Sequence, residues 1–291
     1  MVITKLAPAL GAGISGIDLT RPRDESDTRS LVAAFASYGV LVFRNQPIDD
    51  ASHARFGRQF GELARFRESD NWDGAVPEIF RGANVDANGN FYRLEEERAR
   101  MLMLNWLWHI DSSYRPVPTR GAILHGIEVI QDAADTIFAN LCAAYAALPA
   151  TMKERIDALF ARHSFLHLVK TRDMPPLSTE QAANLPPVDH PLVRRHADGR
   201  RSLYLSPPYI ETIVGWNQPE SQALVEELTE WAAQDRFLYR HQWKPHDVIM
   251  WNNGWTMHKV TPFDLTRVRR VTHGVVILGS ERIEPLAPAA A

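Results

Sequence analysis

The chain has a single cysteine, Cys142, among 291 residues. This excludes an internal disulfide and every metal site built from a cluster of thiolates. No apolar run approaches the roughly 20 residues that a membrane span needs. The first 13 residues carry one lysine and place Pro8 inside a short apolar run, which makes a poor signal peptide. These features predict a cytoplasmic protein.

A strong charge of either sign is also lacking. The sequence has 32 Lys and Arg against 35 Asp and Glu, a net charge of -3. Neither nucleic acid nor an anionic membrane is therefore expected as the main partner. There is no internal repeat and no long linker, so a single domain over residues 1–291 is predicted. Whether the chain forms a homo-oligomer is left open.

The periodicity indicates many short strands with helices inserted between them. Helical spacing covers residues 49–63 and 218–235, and Asp198-Gly199 is typical of a hairpin turn. A weak strand is expected near Glu78 to Phe80. Strong strand candidates are residues 39–46, 121–130, 247–253 and 269–279. Such scattered strands favour a mainly antiparallel β sandwich or barrel over a doubly wound α/β sheet.

The segment GAGISG, Gly11 to Gly16, matches the glycine pattern of dinucleotide-binding loops. That function needs a strand before the glycines and a helix directly after them. Pro8 precedes them here, and the following IDLTRPRD has no helical period. We interpret the segment as a glycine-rich turn between two strands.

The segment NWLWHIDSSY, residues 105–114, contains a candidate metal site. On a strand, His109 and Asp111 would project from the same face, with Ile110 on the other. A single His-x-Asp pair is weak support, because a strand histidine is more often structural. The facial triad of non-heme iron enzymes needs one further histidine.

His258 is the best third ligand, since it follows the apolar strand DVIMW and precedes the basic segment TRVRRVTH. Arg269 lies eleven residues beyond it. Alternation on that last strand places Arg269 on the same face as His273. A guanidinium turned inward could grip the far carboxylate of a dicarboxylate co-substrate.

This arrangement resembles the iron(II)/2-oxoglutarate dioxygenases of the taurine and 2,4-dichlorophenoxyacetate dioxygenase group. The pattern comprises His109-x-Asp111, His258 after 147 residues (258 minus 111), and Arg269. Segments along nearly the whole chain look similar in the same order, including GVLVFRNQPI and DVIMWNNGWTMHK. NVDANGN followed by LNWLWHIDSSY looks closer to the aryloxyalkanoate branch.

The resemblance implies a double-stranded β-helix, or jelly roll, that uses Fe(II), 2-oxoglutarate and O2. It implies His109, Asp111 and His258 as iron ligands, and Asn105, Thr136 and Arg269 as the 2-oxoglutarate site. The expected activity is hydroxylation of a small to medium organic substrate, with release of succinate and CO2. Without the resemblance, Thr136 would merely begin a strand and Asn105 would be an ordinary loop residue.

The sequence departs from the family pattern where an anionic substrate would be held. The family often has a second arginine four residues beyond the first, and here that position is His273. At another substrate position of the taurine branch the chain has Phe66. Other substrate-pocket candidates are Trp72, Ser112, Tyr114 and Trp255, although core packing claims most aromatic residues. A carboxylated aromatic is one expected substrate.

Asn252-Asn253 stands where the family usually has Asp-Asn, so one charge near the site is expected to be missing.

Two other functions use the same residues. A jelly-roll binding protein would have the fold without turnover, and a zinc hydrolase could use the same three ligands. The zinc alternative gives no reason for the arginine beyond His258.

Overall fold

A computed structural model describes residues 1–66 and 75–285 of the chain. Within these ranges the strands are β1 Val2–Lys5, β2 Ala12–Ser15, β3 Val40–Phe43, β4 Phe80–Ala83, β5 Gly121–Glu128, β6 Thr136–Asn140, β7 Phe160–His163, β8 Val188–Pro191, β9 Val193–Arg195, β10 Arg201–Leu203, β11 Ile210–Ile213, β12 Leu238–His241, β13 Val248–Asn252, β14 Thr256–Val260 and β15 Val271–Ile277. The α-helices are α1 Glu25–Tyr38, α2 Asp50–Gly57, α3 Glu97–Leu104, α4 Leu141–Ala146, α5 Ala150–Ile156, α6 Phe165–Thr171, α7 Thr179–Ala183 and α8 Gln218–Ala232.

Two sheets face each other and form a double-stranded β-helix, as the sequence predicted. The larger has seven strands in the order β1-β2-β3-β13-β5-β15-β4. The smaller has the order β12-β6-β14. All but the β2–β3 pair of the larger sheet are antiparallel. The fold is therefore mainly β with inserted helices.

The large sheet is buried on both faces, and β13 shows how. Val248 and Met250 pack with the helix-covered core that also contains Phe35 of α1 and Phe56 of α2. Ile249 and Trp251 point the other way, into the core between the two sheets. Strands buried on both faces read as continuous apolar runs, which is why the sequence signal here was strong.

Helix α2 begins where the sequence indicated. The carboxylate of Asp49 accepts a hydrogen bond from the backbone N–H of Ser52 and caps the helix. The proline-interrupted segment after Asn140 forms two helices, α4 and α5, with Pro149 as the N-cap of the second. The hairpin β9–β10 turns through Asp198 and Gly199, which has φ +84°. The predicted start of α2 and the predicted hairpin turn are confirmed, whereas α2 ends at Gly57 and does not extend over the predicted range 49–63.

Two local predictions are wrong in part. The segment Gly11 to Gly16 is not only a turn, because Ala12–Ser15 is strand β2, paired with both β1 and β3. The helix after it begins only at Glu25, so these glycines do not form a strand-to-helix phosphate loop. The weak strand expected near Glu78 is β4, which starts at Phe80 and pairs with β15.

Among the helices of the described residues, none has the length and apolar character needed to cross a bilayer.

Candidate active site

Two histidines distant in sequence face each other at the centre of the site. His109 and His258 form an antiparallel β-bridge, with backbone N–H to O distances of 3.0 and 2.9 Å. His258 lies on β14, whereas the backbone of His109 is paired with it through an isolated bridge outside any strand. Asp111 begins the turn that follows. The predicted strand is thus reduced to one bridged residue and a turn.

The three predicted ligands converge on one point. Asp111 Oδ1 lies 3.5 Å from His109 Nε2 and 3.7 Å from His258 Nε2. The candidate ligand atoms of the three residues all lie within 4.8 Å of one another. Ile110 points away into the core, as predicted, and is fully buried. Two imidazoles and a carboxylate in this arrangement suit a divalent first-row metal.

Neighbouring groups orient each ligand. His109 Nδ1 donates to the carbonyl of Leu107 at 2.8 Å, which leaves Nε2 unprotonated, with its lone pair available to a metal beside Asp111 Oδ1. His258 is stacked on Phe138, with 5.7 Å between ring centroids, and tilted against Trp251 at 4.9 Å. Burial lowers the pKa of His258 to about 3, and the adjacent His109 contributes. The imidazole is therefore neutral, which is the form that binds a metal.

Asp111 is held by its second oxygen. Its Oδ2 accepts hydrogen bonds from Trp251 Nε1 at 3.0 Å and Asn253 Nδ2 at 3.1 Å. Burial alone would raise the pKa of Asp111, but the two histidines and the hydrogen bond from Asn253 lower it below its ordinary value. The carboxylate is ionised, with Oδ1 directed toward the histidines.

The ligands line a cavity of about 290 Å³. Asn105, Thr136, Ser112 and Tyr114 line it as well, so the structure brings these predicted residues together with the triad. Much of the remaining wall is apolar. It is formed by Phe80, Met101, Leu102, Leu104, Ala122, Leu124, Leu168, Trp251, Val260 and Val276, among others.

The prediction for Arg269 is wrong. Its guanidinium lies at the surface and forms two hydrogen bonds with the carboxylate of Glu128. Nε lies 2.7 Å from Oε2, and Nη2 lies 2.9 Å from Oε1. Arg270 lines the cavity instead and is only 8% exposed. Burial lowers the pKa of Arg270 to about 10, so the group is still charged at neutral pH. Its Nη2 is buried and has no hydrogen-bond partner among the described residues.

The same alternation corrects the prediction for His273. Its Nδ1 lies 2.7 Å from Asp50 Oδ1 of α2, on the face of β15 that looks away from the cavity. Arg270, Thr272 and Val276 line the cavity. The predicted alternation therefore grouped the residues of this strand correctly, but the face that is turned toward the cavity is the one that carries Arg270.

The aromatic residues predicted for the substrate pocket lie in different places. Phe66 packs edge-on against Phe80, with 5.5 Å between ring centroids, and is not one of the residues that line the cavity. Trp255 is buried in the core between the sheets and does not line the cavity. Tyr114 contacts Tyr209, another lining residue, at 5.0 Å. Trp72 lies outside the described residues.

Sequence reasoning missed Arg270, Trp251, Asn253 and Phe80. Arg270 is adjacent to Arg269, the arginine that was predicted to bind the co-substrate, and both belong to the same basic segment TRVRRVTH. Trp251 and Asn253 flank Asn252 on and after β13, and their contact with Asp111 joins segments about 140 positions apart. Asn252 binds the backbone N–H of Gly254 at 2.8 Å and closes the local turn. Only folding places these side chains around the ligands.

The chain matches the model of the taurine catabolism dioxygenase TauD, TfdA family over residues 3–276. It belongs to this family of dioxygenases. Two of the relatives that it matches are named for aryloxyalkanoate substrates, which agrees with the predicted branch.

The chain is 29% identical over 289 residues to the alpha-ketoglutarate-dependent 2,4-dichlorophenoxyacetate dioxygenase of Cupriavidus pinatubonensis, covering 95% of this chain and 98% of that one. It is 31% identical over 282 residues to the (S)-phenoxypropionate/alpha-ketoglutarate-dioxygenase of Sphingobium herbicidovorans, covering 93% of each. It also resembles the crystal structure of AAD-2 in complex with Mn(II) and N-oxalylglycine, with a TM-score of 0.87 and 31% identity over 97% of this chain and 99% of that one.

Proposed function

We propose that this protein is an Fe(II)- and 2-oxoglutarate-dependent dioxygenase that hydroxylates a small organic molecule. The supporting observation is the meeting of His109, Asp111 and His258 in a cavity that also contains the buried Arg270. In the overall reaction one oxygen atom of O2 converts a C–H bond of the substrate to C–OH. The other oxygen atom enters the new carboxylate of succinate as 2-oxoglutarate loses CO2. A cytoplasmic location stays a prediction.

His109, Asp111 and His258 would hold the iron. The residues fit this ion, since two neutral imidazole nitrogens and one ionised carboxylate face a common point. Bound iron supplies the activation of O2 that the organic groups of the protein cannot perform. The protein itself would fix the ligands, through the contacts of Leu107 with His109 and of Asn253 with Asp111.

Arg270 would bind the far carboxylate of 2-oxoglutarate. A buried guanidinium with an unpartnered nitrogen requires an anion to compensate its desolvation. Thr136 is placed to assist, because its hydroxyl oxygen accepts from Trp243 Nε1 at 3.0 Å and its own hydrogen remains free to donate. Asn105, at the end of α3, adds a neutral amide to the same wall.

Anaerobic titration tests the proposal. Fe(II) followed by 2-oxoglutarate should produce a weak visible charge-transfer band, and the band should be absent from the variant His258→Ala. A binding protein without turnover would give no O2-dependent succinate with any substrate. A zinc hydrolase would give no band and would be active without O2. Either result would contradict the proposal.

A further inference from the structure

The charged groups that line the cavity are few. Among the described residues they are the triad and Arg270. Two phenols, Tyr114 and Tyr209, complete the ionisable lining, and burial raises the pKa of each. Both phenols are therefore neutral at physiological pH.

All of these charges have a use in the proposed function. The triad would be occupied by the metal, and Arg270 by the co-substrate. Arg269 is paired with Glu128 outside the cavity, and His273 is paired with Asp50 on the opposite face of the sheet. Among the described residues that line the cavity, Arg270 is the one Arg or Lys, so no second cation lines it to bind an acidic group of the substrate.

The wall beyond Arg270 is closed by an aromatic ring. Gly274 lies four residues past Arg270 and pairs with Phe80 across β15 and β4. A Cβ atom built on Gly274 would lie 2.4 Å from Phe80 Cζ and 2.5 Å from Leu124 Cδ2. The ring of Phe80 thus lies across the glycine and occupies the space into which a side chain at position 274 would extend.

This packing explains why glycine stands at a strand position that normally disfavours it. Gly274 has no side chain of its own and allows the close approach of Phe80 from the neighbouring strand. Phe80 itself lines the cavity. The wall beside Gly274 is therefore apolar, because Phe80 and Leu124 fill the space next to the glycine.

We infer that the cavity selects an uncharged, largely apolar substrate over a carboxylic acid, because position 274 carries no cation and Phe80 fills the space beside it. The inference rests on the proposed function, since it assigns the triad and Arg270 to the metal and the co-substrate. A carboxylate moved from water to this wall would lose its hydration without gaining a cationic partner. A neutral apolar group loses little hydration and gains contact with Phe80, Leu124 and Val276.

The test compares isosteric pairs that differ only in charge. The pairs are phenoxyacetate and phenoxyacetamide, cinnamate and cinnamamide, and hexanoate and hexanamide. Their binding is measured by calorimetry on protein loaded with Mn(II) and N-oxalylglycine, and succinate release is followed in parallel with Fe(II), 2-oxoglutarate and O2. We expect the amide to bind at least about tenfold more tightly in each pair that binds. The inference is overturned if the acids bind as tightly as the amides, or if no amide binds.

Two variants test whether the lack of a cation at position 274 causes the preference for the amide. Phe80→Ala opens the wall without adding charge and should keep the preference for the amide. Adding Gly274→Arg to Phe80→Ala should tighten binding of the acid at least about tenfold relative to Phe80→Ala alone. Unchanged acid affinity in a folded double variant contradicts the role of these two positions. If circular dichroism shows that the double variant is unfolded, the wild-type series decides the inference.

Failure of this inference is distinct from failure of the proposed function. If Mn(II) and N-oxalylglycine do not bind at all, the co-substrate assignment is wrong. If they bind and the loaded protein prefers the acids, only the substrate class is wrong.

Discussion

Arg269 and Arg270 are consecutive residues whose guanidinium groups lie on opposite sides of the chain. Arg269 pairs with Glu128 at the surface, whereas Arg270 lines the cavity beside the candidate metal site. Neighbouring residues of an extended chain point to opposite faces. A shift of one position along the chain therefore decides whether an arginine side chain lies at the surface or in the candidate active site. Substitution of Arg269 therefore serves as the control for substitution of Arg270.

Arg270→Ala should raise the concentration of 2-oxoglutarate needed for half-saturation by at least about tenfold. Removing one partner of a buried charge pair costs roughly 2–5 kcal/mol. Arg269→Ala should change this concentration less than about threefold, because an exposed ion pair contributes only about 0–1 kcal/mol. Titration of both variants with 2-oxoglutarate, followed by the visible band, measures the difference. A larger effect of Arg269→Ala would restore the original assignment.

Asn253→Ala should weaken metal binding by about 10–100-fold, the usual effect of losing a group that orients a ligand. The amide of Asn253 donates to Asp111 Oδ2 and to Thr119 Oγ1, and no other side chain replaces both contacts in the described structure. Asn252→Ala serves as the control, because Asn252 bonds to the backbone of Gly254. Competition with a metal-binding dye gives both affinities, and equal affinities would show that Asn253 does not position the ligand.

The protein should lose stability as the pH falls below about 6.5. His53 is fully buried, and burial with the nearby His125 lowers the pKa of His53 to about 3. Burial and His246 lower that of His125 to about 4. The unfolded chain titrates near 6.5, so between these values it binds more protons than the folded chain and unfolding is favoured.

Each unit of pKa difference corresponds to about 1.4 kcal/mol. Urea unfolding at pH 7 and pH 5 measures the loss. In His53→Leu the difference between the two pH values should be smaller, since one titrating group is gone. A pH dependence that is unchanged in this variant would exclude His53 as a contributor.

Gly39→Ala should destabilise the protein by about 2 kcal/mol or more. Gly39 ends α1 with φ +71°, and a Cβ atom there would lie 2.5 Å from the indole ring of Trp255. Gly215→Ala is the matched control: its φ is +85°, and nothing lies within 4 Å of the added atom. Denaturant unfolding should show the larger loss at Gly39. Equal losses would mean that only the backbone angle matters.

Several parts of the fold could be predicted because their signals are local. Strand β13 is a continuous apolar run, and α2 begins at an aspartate that caps it. The triad could be predicted because its members have distinctive chemistry at a recognisable spacing. The side chains around the triad could not, since Trp251 and Asn253 have no local pattern that relates them to Asp111.

Strand β15 shows the limit most clearly. Its alternating pattern correctly separated Arg269 and His273 from Arg270 and Thr272. It could not say which set faces the cavity, because both faces of the sheet are buried: Val271 is 4% exposed and Thr272 is 1% exposed. Hydrophobic patterning identifies an inward face only when the other face meets water.

The sequence by itself determined the β-rich architecture, the inserted helices and the chemistry of the three candidate ligands. These follow from short-range periodicity and from the identity of individual side chains. Tertiary structure alone decided that Arg270 rather than Arg269 enters the cavity, that His273 is bound to Asp50, and that Phe80 covers Gly274. Those relationships depend on which strands pair and which helix covers each face, and such contacts between distant segments exist only after the chain has folded.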